Sequence, residues 1–113
     1  MKIAHLNKLQ YDMMIWQVDN FGNQESWKPL LGIVEEVGEL SHAHLKEAQG
    51  IRTGEDHIAD AKDAIGDILI YLMNYCNTRD FCLTDILEET WSKVKKRNWK
   101  DNKIDGNGQT KEA

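Results

Sequence analysis

Five acidic side chains in two stretches could do chemistry in this chain. Glu35, Glu36 and Glu39 stand in Glu35-Glu36-Val37-Gly38-Glu39. Asp63 and Asp67 lie within Asp60 to Cys76, DAKDAIGDILIYLMNYC. At about 100° per residue, Glu39 sits about 40° and Glu36 about 100° from Glu35, so the three glutamates share one helix face. Asp60, Asp63, Asp67, Tyr71 and Asn74 fall within an arc of roughly 80°. The rest of that second stretch is apolar from Ala64 on, so a buried helix with one narrow polar stripe is expected. A carboxylate on a buried helix needs a partner, because an unpaired buried charge costs several kcal/mol or more.

The loop between the two stretches is short, so their helices should pack antiparallel. Counted from the hairpin end at about 1.5 Å per residue, Glu39 and Asp67 are both about 14 Å away and therefore level. With the polar faces inward, Glu36 and Glu39 meet Asp67, with Glu35 and Asp63 nearby. Clustered carboxylates repel unless a cation intervenes. The simplest cation is Mg²⁺ or Mn²⁺, which takes hard oxygen ligands and also binds substrate phosphates. That combination points to phosphoryl chemistry on a small phosphate ester.

These residues also resemble a family. Glu35-Glu36-x-x-Glu39, with EEVGEL at Glu35 to Leu40, followed by Gly66-Asp67-Ile68-Leu69-Ile70-Tyr71, is similar to the MazG-like all-α nucleoside triphosphate pyrophosphohydrolases. The similarity runs from the first helix to about Trp99. It implies a four-helix MazG-like bundle, assembled as a homodimer or homotetramer. It also implies Mg²⁺-dependent hydrolysis of (deoxy)nucleoside triphosphates to monophosphate and pyrophosphate. By resemblance, Glu36, Glu39 and Asp67 are metal ligands, and Glu35 is a ligand or the base for the attacking water. The family's glutamate three residues before the aspartate is Ala64 here. Asp63 is the substitute on the same stripe. In the expected mechanism, water attacks the α-phosphorus in line and pyrophosphate leaves. Lys93, Lys96 and Arg97 are candidates for the phosphate tail, and Trp16, Trp27 and Tyr71 for stacking on the base, along with Phe21.

Four helices must position these groups. Leu6, Leu9, Met13 and Trp16 recur at helical steps and give a first helix, about 5–20, ended by Gly22. Ser26 is the expected cap of a second helix, about 27–48, with Pro29 in its first turn. Asp56 is the expected cap of a third, about 57–77. Thr84 is the expected cap of a fourth, with Asp85, Glu88 and Glu89 in its early turns and Leu87, Trp91 and Val94 as its inner seam. Residues 1–100 form one helical domain, and 101–113 read as a disordered polar tail.

Composition bounds the alternatives. A 113-residue chain of net charge −5 without a basic block is a poor candidate for nucleic-acid or membrane binding. No apolar run reaches the roughly 18 residues of a membrane span, and two cysteines cannot form a disulfide framework, so a cytoplasmic protein is expected. His42 and His44 point to different sides of their helix, His44 toward the packed side. Glu39-x-x-His42 has no second copy, which argues against a di-iron bundle. The competing function is a non-catalytic helical module that binds a metal or nucleotide, or only oligomerises. Ala64 is its best support. A structural bundle whose acids pair with another subunit's Lys or Arg is a weaker third reading.

Overall fold

The computed structural model describes residues 3–98 and residue 100. The protein is all-α: helices α1 (Ile3–Phe21), α2 (Trp27–Gln49), α3 (His57–Thr78) and α4 (Leu83–Val94), with no strand among the described residues. Their ends fall within two residues of expectation. Gly22 ends α1 in the left-handed region, at φ +70°, its N–H donating to the Val18 carbonyl over 2.9 Å. Gly50 does the same for α2 at φ +65°; its N–H and that of Ile51 satisfy the Glu47 and Lys46 carbonyls. Asp56 caps α3, its carboxylate accepting from Ala59 N–H at 3.0 Å. Two expected caps fail. Ser26 is already helical, at φ −60° and ψ −29°, so its hydroxyl makes no cap bond. Helix α4 begins at Leu83, which puts Thr84 inside the first turn rather than ahead of it.

The chain divides into two compact units, one ending at Cys82 and the other beginning at Leu83. In the first unit α2 and α3 pack along their lengths. They are antiparallel, as expected: Gly32 meets Tyr71 early in α2, and Ala43 shares a groove with Asp60 late in it. The contact at Gly32 sets the register. A Cβ on Gly32 would lie 2.5 Å from the Tyr71 ring, so only a glycine lets the ring lie against α2 there. One turn further, this brings Glu36 level with Asp67, whereas equal counting from the loop puts Glu39 there. The reason lies at the hairpin. The chain after Gly50 doubles back, so that Lys46 and Glu47 of α2 flank the same pocket as His57 and Ile58 of α3. Helix α2 thus overhangs the start of α3.

Helix α1 docks on α3 through amides, not through its leucines. The Asn74 amide donates to Gln17 at 2.9 Å, and both residues are buried. The Gln10 amide donates to Asn77 and to the Phe81 carbonyl, and Asn77 returns a bond to the Gln10 carbonyl. Leu9 and Trp16, on the apolar stripe of α1, remain 46% and 52% exposed. The expectation that α3 is buried on nearly all sides is corrected likewise: Ile65, Leu69 and Ile70 are each more than 40% exposed. Leu6, Leu9, Met13 and Trp16 of α1 and Leu69, Ile70 and Met73 of α3 line an apolar cleft of about 630 Å³. The apolar periodicity is real, but part of it stays uncovered among the described residues.

In the second unit, Asp85 occupies the first turn of α4, and Lys93 pairs with Glu89 at 3.6 Å. Leu87 and Trp91 of the expected inner seam are more than half exposed. The tail expectation for 101–113 lies outside the described residues. No described helix is long and apolar enough to cross a membrane.

Substituting Gly32→Ala should lower unfolding free energy by about 1–3 kcal/mol, the cost of overpacking a tight contact. Tyr71→Leu should recover part of the loss in the double variant. Urea titrations of the three variants measure both effects, and additive losses would contradict the assigned contact.

Candidate metal centre

Helix α2 carries Glu35, Glu36 and Glu39 on one face, and α3 carries Asp60, Asp63 and Asp67 on its polar stripe. The register set at Gly32 brings the two rows together. They line one groove of about 450 Å³, with His42, Ala43 and Ala64 completing its walls and Glu55 at the loop end. Glu36 and Asp67 are partly buried, while Glu35, Glu39 and Asp63 are exposed. The acids therefore line an open seam between the helices and are not sealed in a core.

The electrostatics follow from this crowding. Glu36 is pushed above the ordinary glutamate value of 4.5, first by its partial burial and then by the charges of Asp67, Glu35, Glu39 and Asp63. Among the described residues, no lysine or arginine forms an ion pair with any of these five carboxylates. A row of hard oxygen donors whose charge no such pair neutralises suits a small divalent cation such as Mg²⁺ or Mn²⁺. Glu36, Glu39, Asp63 and Asp67 could hold it, with Glu35 beside them. Ala64, where the family pattern has an acid, is buried and forms groove wall; Asp63 lines the same groove.

The other candidates are dispersed. Trp16 lies in the apolar cleft, its ring edge-on to Phe21 with centroids 5.8 Å apart. Trp27 is exposed at the start of α2, donates its indole N–H to Glu25, and has Lys28 5.7 Å above its ring. The Tyr71 ring lies against Gly32. Lys93 belongs to the last turn of α4; Lys96 and Arg97 follow the helix end. Sequence reasoning missed Glu55 and His57. His57 is buried, and Glu55, His57 and Asp60 bring one potential ligand atom each to within 4.8 Å of one another. Their spacing, Glu-x-His-x-x-Asp across a helix start, is the signal that was available. His44, expected to be packed, is exposed. Cys76 is buried, and that burial pushes its thiol up, as suits a small core residue.

Because Glu36 is raised in the folded chain, folding favours its protonated form. That contribution is complete below the ordinary value of 4.5 and is lost as pH rises through the folded value. At neutral pH the ionised Glu36 opposes the fold. Glu36→Gln should therefore raise Tm in chelator at neutral pH, with the gap closing on acidification. Mg²⁺ should raise the Tm of the wild type more than that of this variant. Thermal melts across pH check both signs; a lower Tm for the metal-free variant at pH 7 would contradict them.

Comparison with known proteins gives one family match. Residues 24–100 match the MazG nucleotide pyrophosphohydrolase domain; the match begins after α1 and contains both acidic stretches. No curated protein and no solved structure matches the chain. With most of its length so matched, and with its acids brought together on two antiparallel helices, the chain belongs to the MazG nucleotide pyrophosphohydrolase domain family.

Proposed function

We propose that the protein hydrolyses (deoxy)nucleoside triphosphates to monophosphate and pyrophosphate in the presence of Mg²⁺, with Mn²⁺ as a substitute. The observation that carries this reading is the convergence of Glu35, Glu36, Glu39, Asp63 and Asp67 on one groove with no lysine or arginine ion pair to them among the described residues, in a chain of this family. Glu36, Glu39 and Asp67 would hold the ion, with Asp63 in place of the acid absent at Ala64. Bound there, a divalent cation supplies positive charge against the phosphate oxygens and the charge that develops on the leaving group.

The remaining steps belong to the chain's own side chains. Glu35, exposed at the edge of the groove, holds a water and orients it toward the α-phosphorus. As the new P–O bond forms, the water's proton passes to a Glu35 carboxylate oxygen. The bond from the α-phosphorus to its bridging oxygen breaks, and pyrophosphate departs with that electron pair. Lys93, Lys96 and Arg97 serve the phosphate tail. Trp16 and Trp27 offer exposed rings for the base, with Tyr71 as a third candidate. Self-association as a homodimer or homotetramer is part of the proposal. The exposed Leu9, Leu69 and Ile70 give a second copy an apolar face to cover, and each fully buried side chain contributes about 1.5–3 kcal/mol.

A second reading, metal or nucleotide binding without turnover, rests on Ala64 standing in the groove wall where the pattern calls for an acid. A panel of canonical and modified triphosphates with Mg²⁺, scored for pyrophosphate and monophosphate, separates the two. Hydrolysis should fall about 100-fold or more in Asp67→Asn and in Glu39→Gln, the scale of a lost electrostatic contribution of several kcal/mol. Nucleotide binding with no product from any substrate would favour the non-catalytic module. For assembly, Leu69→Glu should shift the mass measured by light scattering toward the single chain. An unshifted mass would remove this face from the assembly.

A further inference from the structure

A second set of donors lies at the hairpin end of the groove. His57 opens α3, and only 9% of its surface is exposed. Its Nε2 is 3.0 Å from the Ile51 carbonyl oxygen. That oxygen can only accept, so Nε2 carries a proton, and the neutral tautomer that this bond selects has its lone pair at Nδ1. Nδ1 is buried and has no hydrogen-bond partner among the described residues. Its neighbour is a Glu55 carboxylate oxygen at 3.9 Å, too far for a hydrogen bond. With Asp60, one atom from each of the three side chains falls within 4.8 Å of the others. Potential donors therefore gather at one point, one of them on a buried ring held in place by its bond to the Ile51 carbonyl. An imidazole anchored through its other nitrogen to a backbone carbonyl is how metal-ligating histidines are held in place.

We propose that Glu55, His57 and Asp60 form a binding site for a borderline divalent cation of the Zn²⁺, Co²⁺ or Mn²⁺ class, separate from the all-carboxylate donor set of the groove. A nitrogen ligand beside two carboxylates selects these ions over Mg²⁺ and Ca²⁺, which take oxygen. Three protein donors leave positions for water. Occupancy fastens the loop at Glu55 to the first turn of α3. Because Glu55 and Asp60 also line the acid groove, the ion fixes the end of that groove nearest the hairpin. This inference goes beyond the hydrolase reading and does not depend on it.

The test titrates Co²⁺ into the full chain in millimolar Mg²⁺, followed by calorimetry and visible absorption. The wild type should take up one equivalent. Affinity should fall at least 10-fold in His57→Gln and in Glu55→Gln, and should persist in His42→Gln and Asp67→Asn. Glu55 is half exposed on a loop, so its substitution reports on the ion and not on unfolding. Zn²⁺ followed by ¹⁵N NMR should shift His57 Nδ1 while Nε2 stays protonated. Unchanged Co²⁺ affinity in both His57→Gln and Glu55→Gln overturns the proposal. So does a protonated Nδ1 that persists through Zn²⁺ addition, which would make the group an ordinary imidazolium–Glu55 pair. Loss of Co²⁺ binding in Asp67→Asn would place the ion in the acid groove and also overturn it. Failure of the hydrolase reading appears elsewhere, as Mg²⁺ affinity or pyrophosphate release that ignores Asp67→Asn.

Discussion

Two helices that approach closely enough for a tyrosine ring to rest on a glycine cannot slide past one another. The Gly32–Tyr71 contact is that lock. Once it closes, the rest of the seam has no choice: one turn on from Gly32 is Glu36, and one turn back from Tyr71 is Asp67. The helices are thus forced to set negative charge against negative charge. Glu36 registers the consequence, its proton held more tightly than in an ordinary glutamate by partial burial and by four neighbouring carboxylates. Folding on its own would be better served by neutral side chains there. A row of like charges that works against the stability of the chain, one turn from its closest helix contact, makes physical sense when a cation completes it.

The same economy shapes α1. An amphipathic helix ordinarily turns its apolar stripe to the core. Here the stripe of Leu9, Met13 and Trp16 borders an open cleft, and the helix is held by amide pairs at Gln10–Asn77 and Gln17–Asn74. Amide pairs of this kind are directional, and each is costly to leave half-made when buried. They orient α1 on α3 without using up the apolar surface of either helix. Leu69 and Ile70 then continue the stripe of α1 across α3. Leu9, Met13, Trp16, Leu69 and Ile70 are thereby gathered along one cleft, while the small Ala43, Ala64 and Cys76 are buried.

Much of this was legible in the residues, and the failures share a cause. Helix positions followed from periodicity and from Gly22, Gly50 and Asp56, because glycine in the left-handed region and an aspartate cap are local effects. The meeting of Glu35, Glu36 and Glu39 with Asp63 and Asp67 followed from two polar stripes and a short loop. The register missed by about one turn, because counting from a loop assumes that both helices start level. The doubling back after Gly50 is a feature of backbone geometry that residue spacing does not display. The exposure of the apolar stripe of α1 was not legible, because periodicity finds such a stripe but cannot say whether the chain itself covers it. Ser26 failed as a cap because a hydroxyl near a helix start caps only if its own backbone is still extended. His57 escaped notice because the Glu-x-His-x-x-Asp spacing is weak without the fold, which shows its Nε2 turned to Ile51 and its Nδ1 buried.

The two donor sets differ in a way that chemistry can sort. Along the groove the donors are carboxylate oxygens, several of them solvent-accessible, which suits an ion that keeps its water and exchanges it for phosphate oxygens. At the hairpin, a buried nitrogen is aimed by a carbonyl behind it, which suits an ion held by the protein itself. Glu55 and Asp60 belong to both surroundings, since they line the groove and flank His57. A cation beside His57 would withdraw those two carboxylates from the repulsion that runs along α2 and α3. It would lower the negative potential at one end of the groove and leave the Glu36–Asp67 centre intact. Coupling between the ions then follows from Coulomb's law alone, with no change in helix packing. Its sign is fixed by their like charge: each ion makes the other's binding less favourable, and screening by water and salt sets how much.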